Sequence, residues 1–212
     1  IVSGGNKIID TIPAEPAIVI ATPGAEPQVT DGNYGAAVLL DAWALLNRQD
    51  LRATEETLTK WAHATSLVAS RAHQGEVVVA ADPGIPIVQN LIRWDMVSAA
   101  RRELDERRDV EFPPTVHMAA IDVTALHHFI DQLDLPETAE ILGPVDLPPG
   151  EKLPGSTAMK DYNEPVQRIL VRAPLGPRNQ LGMVLKAAYT AVRTLHKNDT
   201  PVRIQVDPIH IG

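Results

Sequence analysis

The sequence changes its pattern at Pro113-Pro114. Residues before a proline leave the helical region of backbone space, and two consecutive prolines stiffen the exit from the preceding element. Before this pair, apolar runs alternate with helical stretches; after it, two strand-like runs follow each other with no helix between them. The pair therefore predicts a boundary between two domains of different architecture.

The residues before the boundary predict strands that alternate with helices. The run from Ile18 to Thr22, which stops at "PGAEP", and the run over residues 75–82 ("GEVVVAAD") are typical of buried parallel strands. Leucine and tryptophan recur at helical spacing over residues 34–46, which predicts an amphipathic helix. Further helices are predicted over residues 54–71, with Thr54 as N-cap, 87–93 and 96–109. Strands separated by helices favour an α/β fold with a parallel sheet.

The residues after the boundary predict a small α+β domain. Strands are predicted over residues 116–122, 139–145, 167–173 and 202–207, and helices over 124–133 and 177–196. The order β-α-β-β-α-β is the split βαβ arrangement of ferredoxin-like domains.

The net charge of −8 hides a basic segment near the end of the chain. Residues 165–206 contain one acidic residue, Asp199. Their cations are Arg168, Arg172, Arg178, Lys186, Arg193, Lys197 and Arg203. A local basic surface can follow phosphates even on an acidic protein, so six of these residues (all but Arg178) are candidates for DNA contact. A solvated helix and strand face explains the same charges.

The cations of the long helix share one side of it. Lys186, Arg193 and Lys197 are spaced by seven and four residues and fall on roughly one helical face. Tyr189 lies near that face, where it stacks on an unpaired base or covers the edge of the core. The pleat of the strands decides whether Arg168, Arg172 and Arg203 join the same surface.

Catalytic and metal-binding patterns are absent from the sequence. The chain has no cysteine, which excludes disulfides and thiolate zinc sites in these residues and fits a reducing compartment such as the cytoplasm. "SGGNK" at residues 3–7 lacks the spacing of a phosphate-binding loop and indicates a plain turn. His127 and His128 are adjacent on a predicted helix and point about 100° apart, which argues against a shared metal. No apolar run approaches the length of a membrane span.

An ordered set of segments resembles the C-terminal portion of the bacterial primosomal protein N′ (PriA) family. The segments are "IVIATPGAEP", "LLDAWALL", "QGEVVVAAD", "LDERRDVEFPP" (with Glu106, Arg107, Pro113 and Pro114), "EILGPV" and "QVDPI". The resemblance implies that residues 1–95 end the second RecA-like helicase lobe and that residues 96–114 connect it to the next domain. Residues 115–212 would form the C-terminal domain, which in this family resembles a small-ribosomal-subunit protein and helps to bind DNA.

The resemblance also implies a nucleotide site that lacks the residues for ATP hydrolysis. In helicase-active relatives, a Gln and an Ala-Lys-Gly turn follow the strand that matches Ile18 to Thr22, whereas this chain has Pro23 to Pro27 with the carboxylate of Glu26. Of the arginine motif before "QGEV" only Arg71 remains, and loss of an arginine finger typically costs about 10³ to 10⁵ in rate. Thr22, Gly24 and Arg71 are thus a vestigial nucleotide site, similar to the family branch of high-GC Gram-positive bacteria. ATP hydrolysis is not expected, and the family's zinc module is expected upstream of these residues.

The resemblance implies a replication restart factor of the cytoplasm and nucleoid. It would bind forked or single-stranded DNA and recruit other primosome proteins without helicase activity. In the family, the acidic, hydrophobic tail of single-stranded DNA-binding protein docks beside an arginine at the start of the long C-terminal helix, a position matched here by Arg178 with Gln180. An arginine that simply faces solvent explains Arg178 equally. Two other functions stay open: an ATP-dependent 3′–5′ DNA helicase with unorthodox motifs, and a scaffold that binds only proteins.

Overall fold

The computed structural model describes residues 9–40, 42–48, 50–148, 165–176, 180–196 and 201–209. Helices and strands are mixed throughout these ranges, which confirms the predicted α/β class at that level. The chain divides into two units, the first ending at Arg102 and the second beginning at Glu103. The functional domains proposed from the sequence stay a prediction.

Parallel strand pairs and helices alternate in the first unit. The strands are β1 (Thr11–Ile12), β2 (Gln28–Val29), β3 (Ala36–Leu39) and β4 (Glu76–Val79). The helices are α1 (Ala42–Leu46), α2 (Ala53–Ser66), α3 (Pro86–Arg93) and α4 (Met96–Asp109), which continues into the second unit. β1 pairs with β2 and β3 with β4, both in parallel. The helices predicted over residues 54–71, 87–93 and 96–109 are therefore present, the first of them shorter than predicted.

Trp61 lies at the centre of the core of the first unit. Its side chain is 2% exposed and packs with buried residues of α1, α3 and α4, while Leu39 of β3 and Val79 of β4 lie against the same cluster. Val38 and Val78, which alternate with the inward-facing strand residues, are exposed. The two-stranded sheet therefore has one face covered by helices.

The prediction of a buried strand from Ile18 to Thr22 is wrong. The segment has no regular secondary structure, and Ile18 and Ile20 are 94% and 96% exposed. An apolar run becomes a buried strand only where neighbouring strands pair with it and helices cover it. Among the described residues no strand pairs with this segment.

The prediction of one helix over residues 34–46 is also wrong, because β3 occupies its first half. The ladder from the Ala36–Glu76 pair to the Leu39–Val79 pair fixes these residues as a strand, and only α1 is helical. A short apolar run fits both periodicities, so tertiary pairing decides between them.

The predicted N-cap of α2 is wrong as well. Thr54 lies inside the helix, and the residue at the N-cap position is Arg52, which makes no side-chain cap. Asp50 holds this turn instead, since its Oδ1 accepts the Arg52 amide at 2.8 Å.

Gly75 is the position of the "QGEV" segment that requires glycine. A Cβ atom at this position would lie 1.7 Å from the carbonyl oxygen of Ala69, so no side chain fits. The close approach brings the chain from the turn at Arg71–His73 into β4.

The second unit has the element order predicted from the sequence. Its elements are β5 (Val116–Val123), α5 (Leu126–Ile130), β6 (Glu140–Asp146), β7 (Gln167–Pro174), α6 (Gln180–Leu195) and β8 (Val202–Val206). The sheet order is β6-β7-β5-β8, and each neighbouring pair is antiparallel. β8 and β6 are therefore the edge strands of this four-stranded sheet.

One face of this sheet is covered by α5 and α6. Ala119, Ile121 and Val123 of β5 are buried on that face with Ile169 and Val171 of β7. The side of α6 that covers them is made of Leu181, Leu185, Ala188 and Val192. Because strand side chains alternate, Asp122, Arg168 and Arg203 lie on the opposite face of the sheet.

Candidate functional site

The exposed side of α6 is basic. Lys186 and Arg193 are exposed, and their spacing of seven residues offsets them by only about 20° around the helix. The helix sequence contains no acidic residue. Lys197, predicted to continue this face, lies outside the described residues.

Tyr189 lies on the same helix and contacts Arg193. The guanidinium of Arg193 lies 5.6 Å from the centroid of the tyrosine ring, and its Nη1 donates to the Tyr189 hydroxyl at 3.1 Å. Such a cation–π pair holds the ring half-buried at the helix surface. We call Lys186, Tyr189 and Arg193 the α6 platform.

The strand arginines Arg168 and Arg203 bind a buried carboxylate. Asp122 of β5 is 1% exposed, and its Oδ1 accepts from Arg168 Nε at 2.7 Å. Its Oδ2 accepts from Arg203 Nε at 2.7 Å and also contacts Arg203 Nη2. The two guanidinium side chains are 17% and 20% exposed. The guanidinium groups of Arg168 and Arg203 therefore lie on the face of the sheet opposite α6, and Asp122 neutralises part of their charge.

Arg172 clamps β7 to its neighbours. Its guanidinium donates to Glu140 Oε2 from Nη2 at 2.6 Å and from Nε at 2.9 Å, and to the carbonyl of Val110 at 3.2 Å. Glu111 lies 3.3 Å from the same guanidinium. Of the six candidate DNA-binding residues, Lys186 and Arg193 are the described ones that are exposed, whereas Arg168, Arg172 and Arg203 are half-buried.

A cleft lies at the start of α6. It has a volume of about 180 Å³, and Gln180 lines it together with Leu175, Leu181 and Pro136. Arg178, the predicted partner of a terminal carboxylate, lies outside the described residues. The cleft has the mixed lining that suits a hydrophobic chain end with a polar group.

The Gly24 loop is occupied by its own carboxylate. The Gly24 amide donates to both carboxylate oxygens of Glu26 at 3.0 Å, and His63 Nε2 lies 4.0 Å from Glu26 Oε2. Burial and, less strongly, the charge of Glu26 raise the pKa of Tyr34, whose hydroxyl donates to Pro27 O at 2.6 Å. An amide that would face a phosphate already binds an anion from the chain itself.

The other parts of the predicted nucleotide site do not complete it. Thr22 contributes its carbonyl oxygen to a turn, accepting the Ala25 amide at 2.8 Å. Arg71 is exposed in the turn before β4, and no recorded contact within the described residues joins it to Gly24. The sequence reasoning missed Lys60, whose side chain lies beside Gly24. Lys60 comes from α2, far along the chain, so no local motif reveals it.

The "DERRDVEFPP" segment has an architectural role. Arg107 is 4% exposed, and it donates from Nη2 to Glu103 at 3.0 Å and from Nη1 to the Pro113 carbonyl at 3.3 Å. Its own carbonyl accepts the Phe112 amide at 2.8 Å. The arginine ties the end of α4 to the two prolines before β5.

Neither a metal cluster nor a membrane-spanning helix occurs in the part of the chain that the structure describes. The described residues contain no group of three or more His, Cys, Asp or Glu able to hold a metal ion. His128 stacks on His196 with ring centroids 3.7 Å apart, and His127 packs beside it. None of the described helices combines the length and apolar character of a membrane span.

We predict that Asp122→Asn destabilises the second unit strongly. The substitution leaves the guanidinium groups of Arg168 and Arg203 around a neutral amide. Removing one partner of a buried ion pair usually lowers the free energy of unfolding by about 3–5 kcal/mol, and we expect about 3 kcal/mol here. The lower end applies because both arginines are partly exposed. Urea unfolding measures the change. Glu140→Gln, which removes a carboxylate that is 56% exposed, is the control and should cost under about 1 kcal/mol. Equal effects of the two variants would contradict the role of Asp122.

Comparison with known proteins relates most of the second unit to a protein family. Residues 108–209 match the model of the primosomal protein N C-terminal domain family. The whole chain is 46% identical over 214 residues to the probable replication restart protein PriA of Mycobacterium leprae, of which it covers 32%. It is 44% identical over 223 residues to the probable replication restart protein PriA of Mycobacterium tuberculosis, of which it covers 33%. The chain spans about a third of the length of these relatives. Residues 108–209 are thus similar to the primosomal protein N C-terminal domain family, and over its whole length the chain is similar to PriA replication restart proteins.

Proposed function

We propose that this chain acts in replication restart by binding DNA and partner proteins, without nucleotide hydrolysis. The observation that carries the proposal is the α6 platform, an exposed pair of cations and a tyrosine on a helix with no acidic residue. Such a surface attracts phosphates even though the chain as a whole carries a net charge of −8. The names of the similar proteins support a replication restart role.

In this proposal the two units have different origins. Residues 1–95 would be the end of a RecA-like helicase lobe, in keeping with the parallel pairing of β3 and β4. Residues 115–212 would be a ferredoxin-like, ribosomal-protein-like binding domain, in keeping with the antiparallel order β6-β7-β5-β8. The first unit then serves as scaffold, and the second makes the contacts.

We predict that the double variant Lys186→Ala/Arg193→Ala weakens binding to forked DNA with single-stranded arms. Loss of two phosphate contacts on a single strand should flatten the log–log salt dependence by about 1.4. Fluorescence anisotropy across a salt series measures both affinity and slope. The matched control is Arg71→Ala/Arg108→Ala, which removes the same charge from two exposed arginines elsewhere. Unchanged affinity and slope in the first variant would favour a scaffold that binds only proteins.

The proposal excludes nucleotide hydrolysis because of Glu26. A carboxylate that already accepts the Gly24 amide repels phosphate oxygens at short range. Lys60 lies beside the loop, and its Nζ is 4.0 Å from Glu56 Oε2. Glu56 therefore neutralises part of the charge of Lys60. A helicase with unorthodox motifs would need another residue to bind the phosphates.

We predict that ATP with Mg²⁺ leaves the Gly24 amide resonance of the ¹⁵N-labelled chain unchanged. Glu26→Gln replaces the charged acceptor by a neutral one and should move the same resonance without added nucleotide, because hydrogen bonds to ionised groups are stronger. This variant thus shows that the resonance reports the contact. A saturable shift of the Gly24 signal by ATP in the wild-type chain would contradict the prediction.

We further propose that the cleft at the start of α6 takes the acidic, hydrophobic tail of single-stranded DNA-binding protein. Leu175 and Leu181 supply apolar walls, and Gln180 supplies a polar group. Arg178 would donate two hydrogen bonds to the terminal carboxylate of the tail.

We predict that Arg178→Ala lowers the affinity for the tail peptide about tenfold or more, because charged hydrogen bonds contribute about 1.5–3 kcal/mol. Calorimetric titration of the peptide measures the loss. Arg193→Ala removes the same charge from the outer face of α6 and should leave the affinity unchanged. Equal binding by wild type and Arg178→Ala would refute the assignment.

A further inference from the structure

A groove of about 400 Å³ lies between α6 and the edge strand β8. Its lining is mostly apolar, with Leu185 from the helix and Val202, Ile204 and Val206 from the strand, and Arg203 also lines it. Lys186 and Tyr189 of the α6 platform form its helical lip. The groove therefore combines an apolar slot with an aromatic ring and a cation at its entrance.

Gly182 opens this groove. It lies on α6 in line with Leu185 and Tyr189, and a Cβ atom built on it would meet no atom within 4 Å. Gly182 is the third residue of α6, and glycine is a poorer helix former than alanine or leucine. The open space beside Gly182 is thus part of the groove, and a side chain added there would extend into it.

The charge around the groove favours a polyanion. α6 carries Lys186 and Arg193 and no acidic residue. Lys186 lines the groove, and Arg193 lies two turns further along α6 on nearly the same side of the helix. An aromatic ring flanked by cations is the arrangement with which proteins hold unpaired bases and their phosphates.

The edge of β8 offers hydrogen-bonding groups beside the same slot. The Asp207 amide donates to the Met118 carbonyl at 2.6 Å, so alternation in the antiparallel ladder turns the main-chain groups of Val202, Ile204 and Val206 away from β5. Within the described ranges, no strand pairs with these groups. They can bond the edge of a base without selecting its identity, since they include both donors and acceptors.

We infer that this groove accepts one unpaired base of single-stranded DNA. Tyr189 contacts the base, and Lys186 and Arg193 bind the phosphates on either side of it. The inference rests on the proposed DNA-binding function and deepens it, because paired bases cannot enter the slot. It assigns to the second unit a preference for unpaired strands that phosphate contacts alone do not give.

The test uses the 212-residue chain, an oligothymidine and an abasic strand of equal length, with anisotropy as readout. The wild-type chain should bind oligothymidine about fivefold or more tightly than the abasic strand, as expected for one stacked base. Gly182→Leu should bind both strands with the affinity that the wild type has for the abasic one. Ala187→Leu, which adds the same side chain at an exposed position of α6 that does not line the groove, should keep the wild-type preference.

The outcomes separate this inference from the proposal on which it rests. If Gly182→Leu keeps the preference for oligothymidine, or if the wild type has none, the groove is not a base site, although salt-dependent binding of both strands would leave the proposed function standing. If neither strand binds, both fail. Thermal unfolding checks the fold, and Gly182→Leu should not lower the midpoint because leucine is a better helix former than glycine.

Discussion

The antiparallel sheet of the second unit depends on one buried carboxylate. Asp122 lies on the central strand β5, and the two strands that flank it each place an arginine directly opposite, Arg168 on β7 and Arg203 on β8. A shift of either strand by one residue would send its arginine to the other face and leave Asp122 buried without that partner. Such a loss is costly, because a buried charge needs compensation. The carboxylate thus specifies the register of three strands at once.

That register also decides which cations can meet a ligand. It holds Arg168 and Arg203 on the face opposite the helices, while Arg172 is held there by Glu140. The basic segment seen in the sequence is therefore two groups with different roles. One group holds the sheet together, and the other, Lys186 and Arg193, stays exposed on α6. Local charge density in a sequence overstates a binding surface wherever strand arginines have carboxylates across the ladder.

The sequence predicted the second unit better than the first for a physical reason. Its strands and helices each carry a clear period, and α6 buries apolar residues at helical spacing, among them Leu181, Leu185 and Val192. In the first unit the strand from Ile18 and the helix from Tyr34 depended on neighbours that a local pattern does not reveal, and both predictions were wrong. The partners of the candidate sites were hidden for the same reason. Lys60 and Asp122 come from elements distant in sequence, although the match of Asp122 with two arginines becomes visible once the strand register is assigned.

The two units differ in how open their anion-binding groups are to a ligand. In the first, the Gly24 amide binds the carboxylate of Glu26, with His63 nearby, so the local donors are already satisfied by the chain. An incoming phosphate would have to displace a carboxylate that is tethered two residues away and costs little entropy to keep in place. In the second, the helix that carries Lys186 and Arg193 brings no acidic side chain of its own. Release of counterions from a phosphate that approaches these exposed cations favours binding. The exposed cations of α6 therefore attract a polyanion more than the Gly24 loop does, which is in keeping with the proposal of DNA binding without nucleotide hydrolysis.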